Sequence, residues 1–312
     1  MNRPVLSRRP AWWWMAPLLL LLLAGCGTVT AVQQGTRKVA GALTFSDSHP
    51  RRVALMGVEN RTFLGDGTVR DQFRSPFLEG LNGFCPALSL ILPAEEGAPA
   101  ELATPPRQLS GRIDNLALAR TGRQYGVHAA IFLRDLSITA EEQPEGILMF
   151  RDTAYYIRAE VRLEVYSMAT GAKLVDANLR RREEVGWEEY DAARAKAPER
   201  VSELPEMMTA LSRQAAERAC DAIRDEPWRA FVVAVEDGRG VLSSGREANL
   251  EPGETLALFS SGEVIEGQDG QRFRIPGIRV GEVRVAESYV GRAIVEPLGG
   301  ETIEVGSAVG KD

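Results

Sequence analysis

The chain opens on an uninterrupted apolar stretch, Trp12 to Leu23, preceded by Arg3, Arg8 and Arg9. A positive segment followed by an apolar run shorter than the roughly 20 residues of a spanning helix reads as a signal peptide over residues 1–25. Gly27 to Pro50 is polar and aperiodic and reads as a tether, residues 26–50, that extends at most about 80 Å at roughly 3.3 Å per residue. From Arg52 to Val58 the chain is nearly all apolar, the pattern of a central strand buried on both faces. Glu59-Asn60-Arg61-Thr62 ends it. Val69, Phe73, Phe77, Leu81 and Phe84 then recur every three to four residues, predicting an amphipathic helix that contains Pro76, with Ser75-Pro76 as the alternative start of a second short helix. Leu88 to Leu92 reads as a strand, Pro93 to Pro106 as a loop and Gln108 to Gln124 as a helix.

Alternation resumes at Val127, Ala129, Ile131 and Leu133 and shifts phase at Asp135 before Leu136 and Ile138, which predicts a bulge. Ile157, Ala159, Val161, Leu163 and Val165 alternate with Arg158, Glu160, Arg162 and Glu164, predicting a half-buried antiparallel strand. Ala169-Thr170-Gly171 is its turn and Lys173 to Asn178 the returning strand. Leu204, Met207, Leu211, Ala215, Ala219 and Ile223 form one stripe at helical spacing, with Ser202 as the N-cap and Pro205 in the first turn. After Trp228 the pattern changes to short Val- and Gly-rich runs with turns at Pro252-Gly253, Asp269-Gly270, Pro276-Gly277 and Gly299-Gly300, and no helical period. The expected fold is therefore α+β over residues 51–227, three helices packed on one mixed sheet, followed by a small all-β domain over residues 228–312.

Composition narrows the function. Removing residues 1–25 takes three arginines and no acid from a chain of net charge −6, leaving −9 on 287 residues. So acidic a chain lacks the basic footprint of nucleic-acid binders. The chain has only two histidines, His49 in the linker region and His128 in a buried-looking strand, so no general base for a Ser/His/Asp set is evident and no enzyme is expected. No H-E-x-x-H or paired C-x-x-C appears, so no metal or cofactor is expected. Gly65-Asp66-Gly67 lacks the third glycine of a dinucleotide fingerprint and reads as a loop. Glu183, Glu184, Glu188, Glu189 and Asp191 form an acidic run that reads as a solvated face. Trp187 and Tyr190 lie within it, and the segment Arg180 to Ala195 reads as a charged loop. There the two aromatics are either partner-docking residues or caps on the adjacent core edge.

Leu23-Ala24-Gly25-Cys26 resembles the lipobox of bacterial lipoproteins, an ordinary secretory signal with an incidental cysteine being the alternative. The resemblance implies cleavage before Cys26, lipidation of its thiol and, with Gly27 following in place of an aspartate, sorting to the periplasmic face of the outer membrane. Ser7-Arg8-Arg9 is a weaker likeness to a twin-arginine signal. In an oxidising periplasm the two remaining cysteines, Cys85 and Cys220, are candidates for a disulfide, or else two buried small apolar residues.

Val53 to Thr62, Tyr125-Gly126-Val127-His128-Ala129-Ala130 and Val161 to Leu174 resemble, in that order, the domain shared by curli-secretion lipoproteins, peptidoglycan-synthase activator lipoproteins and the middle of flagellar assembly protein T. Gly253-Glu254-Thr255, Gly281-Glu282-Val283 and Gly306-Ser307-Ala308-Val309 resemble the SH3-like domain that closes the last of these. Membrane-crossing hairpins of the curli type need strands of ~9 to 11 residues with apolar alternation. Ile138 to Tyr156 reads as too short and too charged for two of them, so no pore is expected. The resemblance then implies a non-enzymatic scaffold or adaptor for a flagellar or secretion-associated envelope assembly. Its partners would be the membrane, through the lipid, and envelope proteins, with a homo-oligomer as a further option. A regulator of a peptidoglycan synthase is the second reading, disfavoured by the short tether, and an envelope hydrolase the third.

Overall fold

The computed structural model describes residues 49–93, 98–147 and 150–311. The signal peptide, Cys26 and nearly all of the tether lie outside the described residues. From His49 onward the chain forms one compact unit. Among the described residues no helix is long and apolar enough to cross a membrane.

A five-stranded sheet in the order β2-β1-β3-β4-β5 forms the first half. Its strands are β1 (Arg51–Asn60), β2 (Leu88–Ile91), β3 (Ala129–Ile147), β4 (Phe150–Ser167) and β5 (Lys173–Val185). β1 is parallel to both neighbours, as its two-sided burial requires, whereas β3, β4 and β5 are antiparallel. The expected bulge is present: the β3–β4 register shifts between Arg134 and Ser137, with Asp135 in the left-handed region at φ 54°. Arg61 holds this bulge, donating its backbone N–H to the Leu136 carbonyl at 2.8 Å and pairing with Asp135 at 2.6 Å.

Helices lie on both faces of this mixed sheet, and among the described residues they number more than the three expected. A helical run covers residues 66–84 as α1 (Asp66–Val69), a π-turn (Arg70–Arg74) and α2 (Ser75–Phe84). Pro76 explains the π-turn. Lacking an N–H and crowding the preceding turn, a proline is accommodated where the backbone already departs from the i to i−4 pattern. α2 packs against α6 (Leu204–Arg224), and Cys85 at the end of α2 is joined by a disulfide to Cys220 of α6, their Cα atoms 5.9 Å apart. Gly80 permits the close approach, since a Cβ there would lie 3.1 Å from that of Ala216. Val53, Ile131, Leu163 and Val165 fill this face of the sheet, while Ala54, Ala130, Phe132 and Met168 pack on the other with Leu102 of α3 (Ala100–Ala103) and Leu118 of α4 (Asn115–Gln124).

Several boundaries differ from expectation. The helix expected from Gln108 begins at Asn115, because Asp114 caps it by accepting the Ala117 N–H at 3.0 Å, and residues 107–113 form a small bridged turn. The loop expected from Pro93 to Pro106 contains α3. Ser202 is not the N-cap of α6, a position held by Glu203 with no side-chain cap. Instead both its N–H and its hydroxyl donate to Glu189, at 2.9 and 2.6 Å.

The second half is a closed six-stranded barrel in the order β11-β12-β7-β6-β13-β8. These are β6 (Ala230–Glu236), β7 (Arg239–Leu242), β8 (Thr255–Phe259), β11 (Arg279–Tyr289), β12 (Arg292–Pro297) and β13 (Ala308–Gly310); a hairpin of β9 (Val264–Glu266) and β10 (Arg272–Arg274) projects from it. Trp228, Val232, Leu258, Val283 and Val295 fill the barrel. The sheet half and the barrel are joined by buried polar contacts. Asn115 Nδ2 donates to the carbonyls of Gly171 and Arg272, and Arg274 N–H donates to that of Thr170. Gly126, at φ 64°, sits where a Cβ would collide with the Ser243 carbonyl oxygen.

Candidate interaction surface

β3 pairs with β1 only as far as Leu136, and the rest of it pairs with β4 alone as a long hairpin running to the Ile147–Phe150 pair. Ile138 to Tyr156, expected to be too short and too charged for two membrane-crossing strands, forms the outer part of this hairpin. Glu141, Glu142, Glu145 and Pro144 stand on this segment, and proline with charges is how an exposed strand edge resists pairing with another chain. The returning strand is also longer than expected. β5 runs through the charged residues to Val185, and α5 (Trp187–Arg194) follows after Gly186, so Arg180 to Ala195 is a strand and a helix, not a loop. Cross-strand contacts hold the charged strands: Arg182 donates to Gln143 at 2.5 Å and lies 3.5 Å over the Tyr156 ring, and Arg158 of β4 pairs with Glu141 of β3 at 2.8 Å. Glu188 and Glu189 in the first turn of α5 and Arg194 in its last complement the helix dipole.

α5 sets three aromatic rings together. Tyr155 of β4, opposite Val185 in the register, has its ring 5.2 Å from that of Trp187 and 4.8 Å from that of Tyr190; the last two are 5.6 Å apart. The two sequence candidates take different places. Trp187 is 53% exposed, whereas Tyr190 is 5% exposed, its hydroxyl 3.4 Å from Glu142. Tyr190 therefore caps the core edge, and Trp187 alone offers a face to solvent. Glu189 does not belong to a free acidic run: its hydrogen bonds from Ser202 hold its carboxyl below the usual range. Tyr155 was not singled out in the sequence, because only strand pairing across 30 residues brings it under the indole.

The histidines lie elsewhere. His49 is buried and is not part of an open linker: Nδ1 contacts the Ala248 carbonyl at 2.8 Å, Nε2 lies 3.1 Å from Glu254, and the ring stacks 4.4 Å from Trp228. His128, expected within a strand, is buried immediately before β3, accepting the Arg52 N–H on Nδ1 at 3.1 Å, and burial and then the Arg51 charge push its pKa down to about 3. On the face of the sheet that carries α3 and α4, Glu164, 2% exposed and opposite Phe132, is ringed by Lys173 at 2.9 Å, Arg162 at 3.3 Å and Arg134 at 3.5 Å. Asp176 beside them is held down to about 2, chiefly by its hydrogen bonds from Arg162. This network is internally satisfied, the condition under which a buried charge is tolerated. Among the described residues no group of three His, Cys, Asp or Glu side chains is placed to hold a metal.

No family model matches the chain, and no curated protein matches it. Among solved structures, the hypothetical protein CT253 from Chlamydia trachomatis aligns over 56% of this chain and 98% of its own, with 16% identity and a TM-score of 0.34. Lipoprotein GNA1162 from Neisseria meningitidis aligns over 49% of this chain and 99% of its own, with 10% identity and a TM-score of 0.25. Likeness at these scores carries no argument. The class is thus set by the architecture itself: a mixed α/β sheet joined to a closed antiparallel barrel.

Proposed function

We propose that the chain is a non-enzymatic lipoprotein held by Cys26 at the periplasmic face of the outer membrane, where it acts as a scaffold or adaptor for an envelope assembly. The observation that carries the scaffold role is Trp187, a half-exposed indole held by two tyrosines on an ordered helix. Tryptophan is enriched, with tyrosine and arginine, among the energetic anchors of protein interfaces. The anchor rests on the Leu23-Ala24-Gly25-Cys26 motif, and the Cys85–Cys220 disulfide suits an oxidising compartment. The flagellar or secretion-associated setting, and the SH3-like character of the barrel, rest on the sequence resemblance to flagellar assembly protein T.

Crosslinking in intact cells tests the role. Trp187→Ala should lose the envelope protein captured by the unsubstituted chain, as expected for an interface anchor worth about 2 kcal/mol or more, roughly a thirtyfold loss of affinity. Capture unchanged in Trp187→Ala refutes the docking role. Cys26→Ser should move the chain from the membrane fraction to the soluble one, and its retention in the membrane refutes the anchor.

A further inference from the structure

Where α4 meets the barrel, a groove of about 590 Å³ is lined by Arg120, Arg123 and Arg274, with Phe231, Val232 and Val305 supplying apolar walls. No acidic residue lines it, in a chain where acids outnumber bases 43 to 37. Arg120 and Arg123 stand three residues apart on α4 and so share a face; Arg274 comes from the end of β10. Arg123 is 8% exposed, donates from Nη2 to the Gly306 carbonyl and lies 4.3 Å over the Phe231 ring. Arg274 donates from Nη1 to the carbonyls of Ser261 at 2.7 Å and Gly262 at 3.0 Å. Each of these two guanidiniums is thereby fixed through one terminal nitrogen and keeps other N–H donors for a ligand. None of the three forms an ion pair with a described residue. The electrostatic consequence is mutual: burial, with Arg274 adding to it, pushes Arg123 down to about 10, and burial with Arg120 lowers Arg274.

The buried Glu164, by contrast, has three opposite partners. Like charges gathered at a half-buried site without a counter-charge are unfavourable until an anion enters. We propose that this groove binds a phosphoryl group, held between the guanidiniums of Arg120, Arg123 and Arg274 and flanked by the apolar wall of Phe231 and Val305. A phosphoryl group is favoured over a carboxylate on charge and shape. It carries up to two negative charges and a tetrahedral set of oxygens that several planar forks can share, whereas one carboxylate saturates one fork. Two sources share that chemistry, a soluble phosphate ester and the headgroup of an anionic lipid, whose glycerol and acyl portion the exposed Val305 can meet. The proposal does not rest on the lipid anchor or on the Trp187 interface.

Calorimetric titration of the full chain in a neutral detergent tests it, with inorganic phosphate, glycerol 3-phosphate, a short-chain phosphatidylglycerol and acetate as probes. At low ionic strength at least one phosphoryl probe should bind at least tenfold more tightly than acetate, and added salt should weaken it. Equal affinity for glycerol 3-phosphate and the short-chain lipid assigns the site to soluble esters. A tenfold preference for the lipid assigns it to headgroups. Arg120→Gln, an exposed substitution that spares the fold, should weaken binding about threefold to tenfold, as loss of a charge-assisted hydrogen bond at an open site does. Arg123→Gln should weaken it further, and its melting curve distinguishes lost binding from lost folding. Absence of binding by all phosphoryl probes, acetate binding as tight as phosphate, or unchanged affinity in Arg120→Gln overturns the proposal.

Discussion

Opening the Cys85–Cys220 bond, by reduction or by Cys85→Ala with Cys220→Ala, removes a constraint across 135 residues of sequence. The chain-entropy expression for a closed loop of that length gives about 5 kcal/mol at room temperature as the stabilisation lost, if the native state is unstrained. Both cysteines are buried between α2 and α6, so the native helix packing persists and the change falls mostly on the unfolded chain. Engineered and native bridges commonly deliver less than the entropic figure, so about 3 kcal/mol is the working expectation. With a urea slope of about 3 kcal/mol/M for a unit of this size, the unfolding midpoint should fall by roughly 1 M on reduction. Urea titrations followed by tryptophan fluorescence, with and without dithiothreitol, measure the shift, and the double variant should match the reduced protein and ignore the reductant. Equal midpoints with and without dithiothreitol would refute the magnitude, and two freely alkylated thiols in the oxidised protein would refute the bond.

Two further expectations follow from the buried groups at the junction of the two halves. His128 has a folded pKa of about 3, below its unfolded value near 6.5, so on acidification the unfolded chain takes up a proton that the folded one refuses. Stability is therefore full above about pH 6.5 and declines below it, by about 2 kcal/mol at about pH 5; His128→Gln should flatten that part of the stability profile, and a profile unaltered by the substitution contradicts the assignment. Asp114→Ala should cost about 1 kcal/mol through loss of the α4 cap, and Asp114→Asn much less, as read from urea midpoints. An Asn variant as unstable as the Ala variant would shift the role of Asp114 to its 3.5 Å pair with Arg272.

What the sequence disclosed depended on how far each signal reached along the chain. Period-two alternation placed β4 and period-three-to-four spacing placed α6 because each pattern concerns a single element, and the phase shift at Asp135 marked a bulge within a single strand. The charged segment from Arg180 was misread because Arg182 is satisfied by Gln143 and the Tyr156 ring on neighbouring strands, contacts visible only once the register is known. For the same reason Trp187 was found and Tyr155 was not. Cys85 and Cys220 were legible as a candidate pair by number alone, there being no other cysteine after Cys26. Convergence of Arg120 and Arg123 with Arg274, some 150 residues downstream, had no local signature at all.

The barrel is closed by β13, residues 308–310, which lies between β6 and β8 and pairs antiparallel with both. β6 begins 78 residues earlier, at Ala230, so until Ala308 to Gly310 arrive both flanking strands present unsatisfied backbone groups. Delivery of this chain from its amino end, through a ribosome or a translocation pore, therefore leaves the second half an open sheet until Ala308 to Gly310 have emerged. The vulnerable interval in the protein's biogenesis is set by that late staple, and a chaperone acting on it would find its substrate in the flanks of β6 and β8.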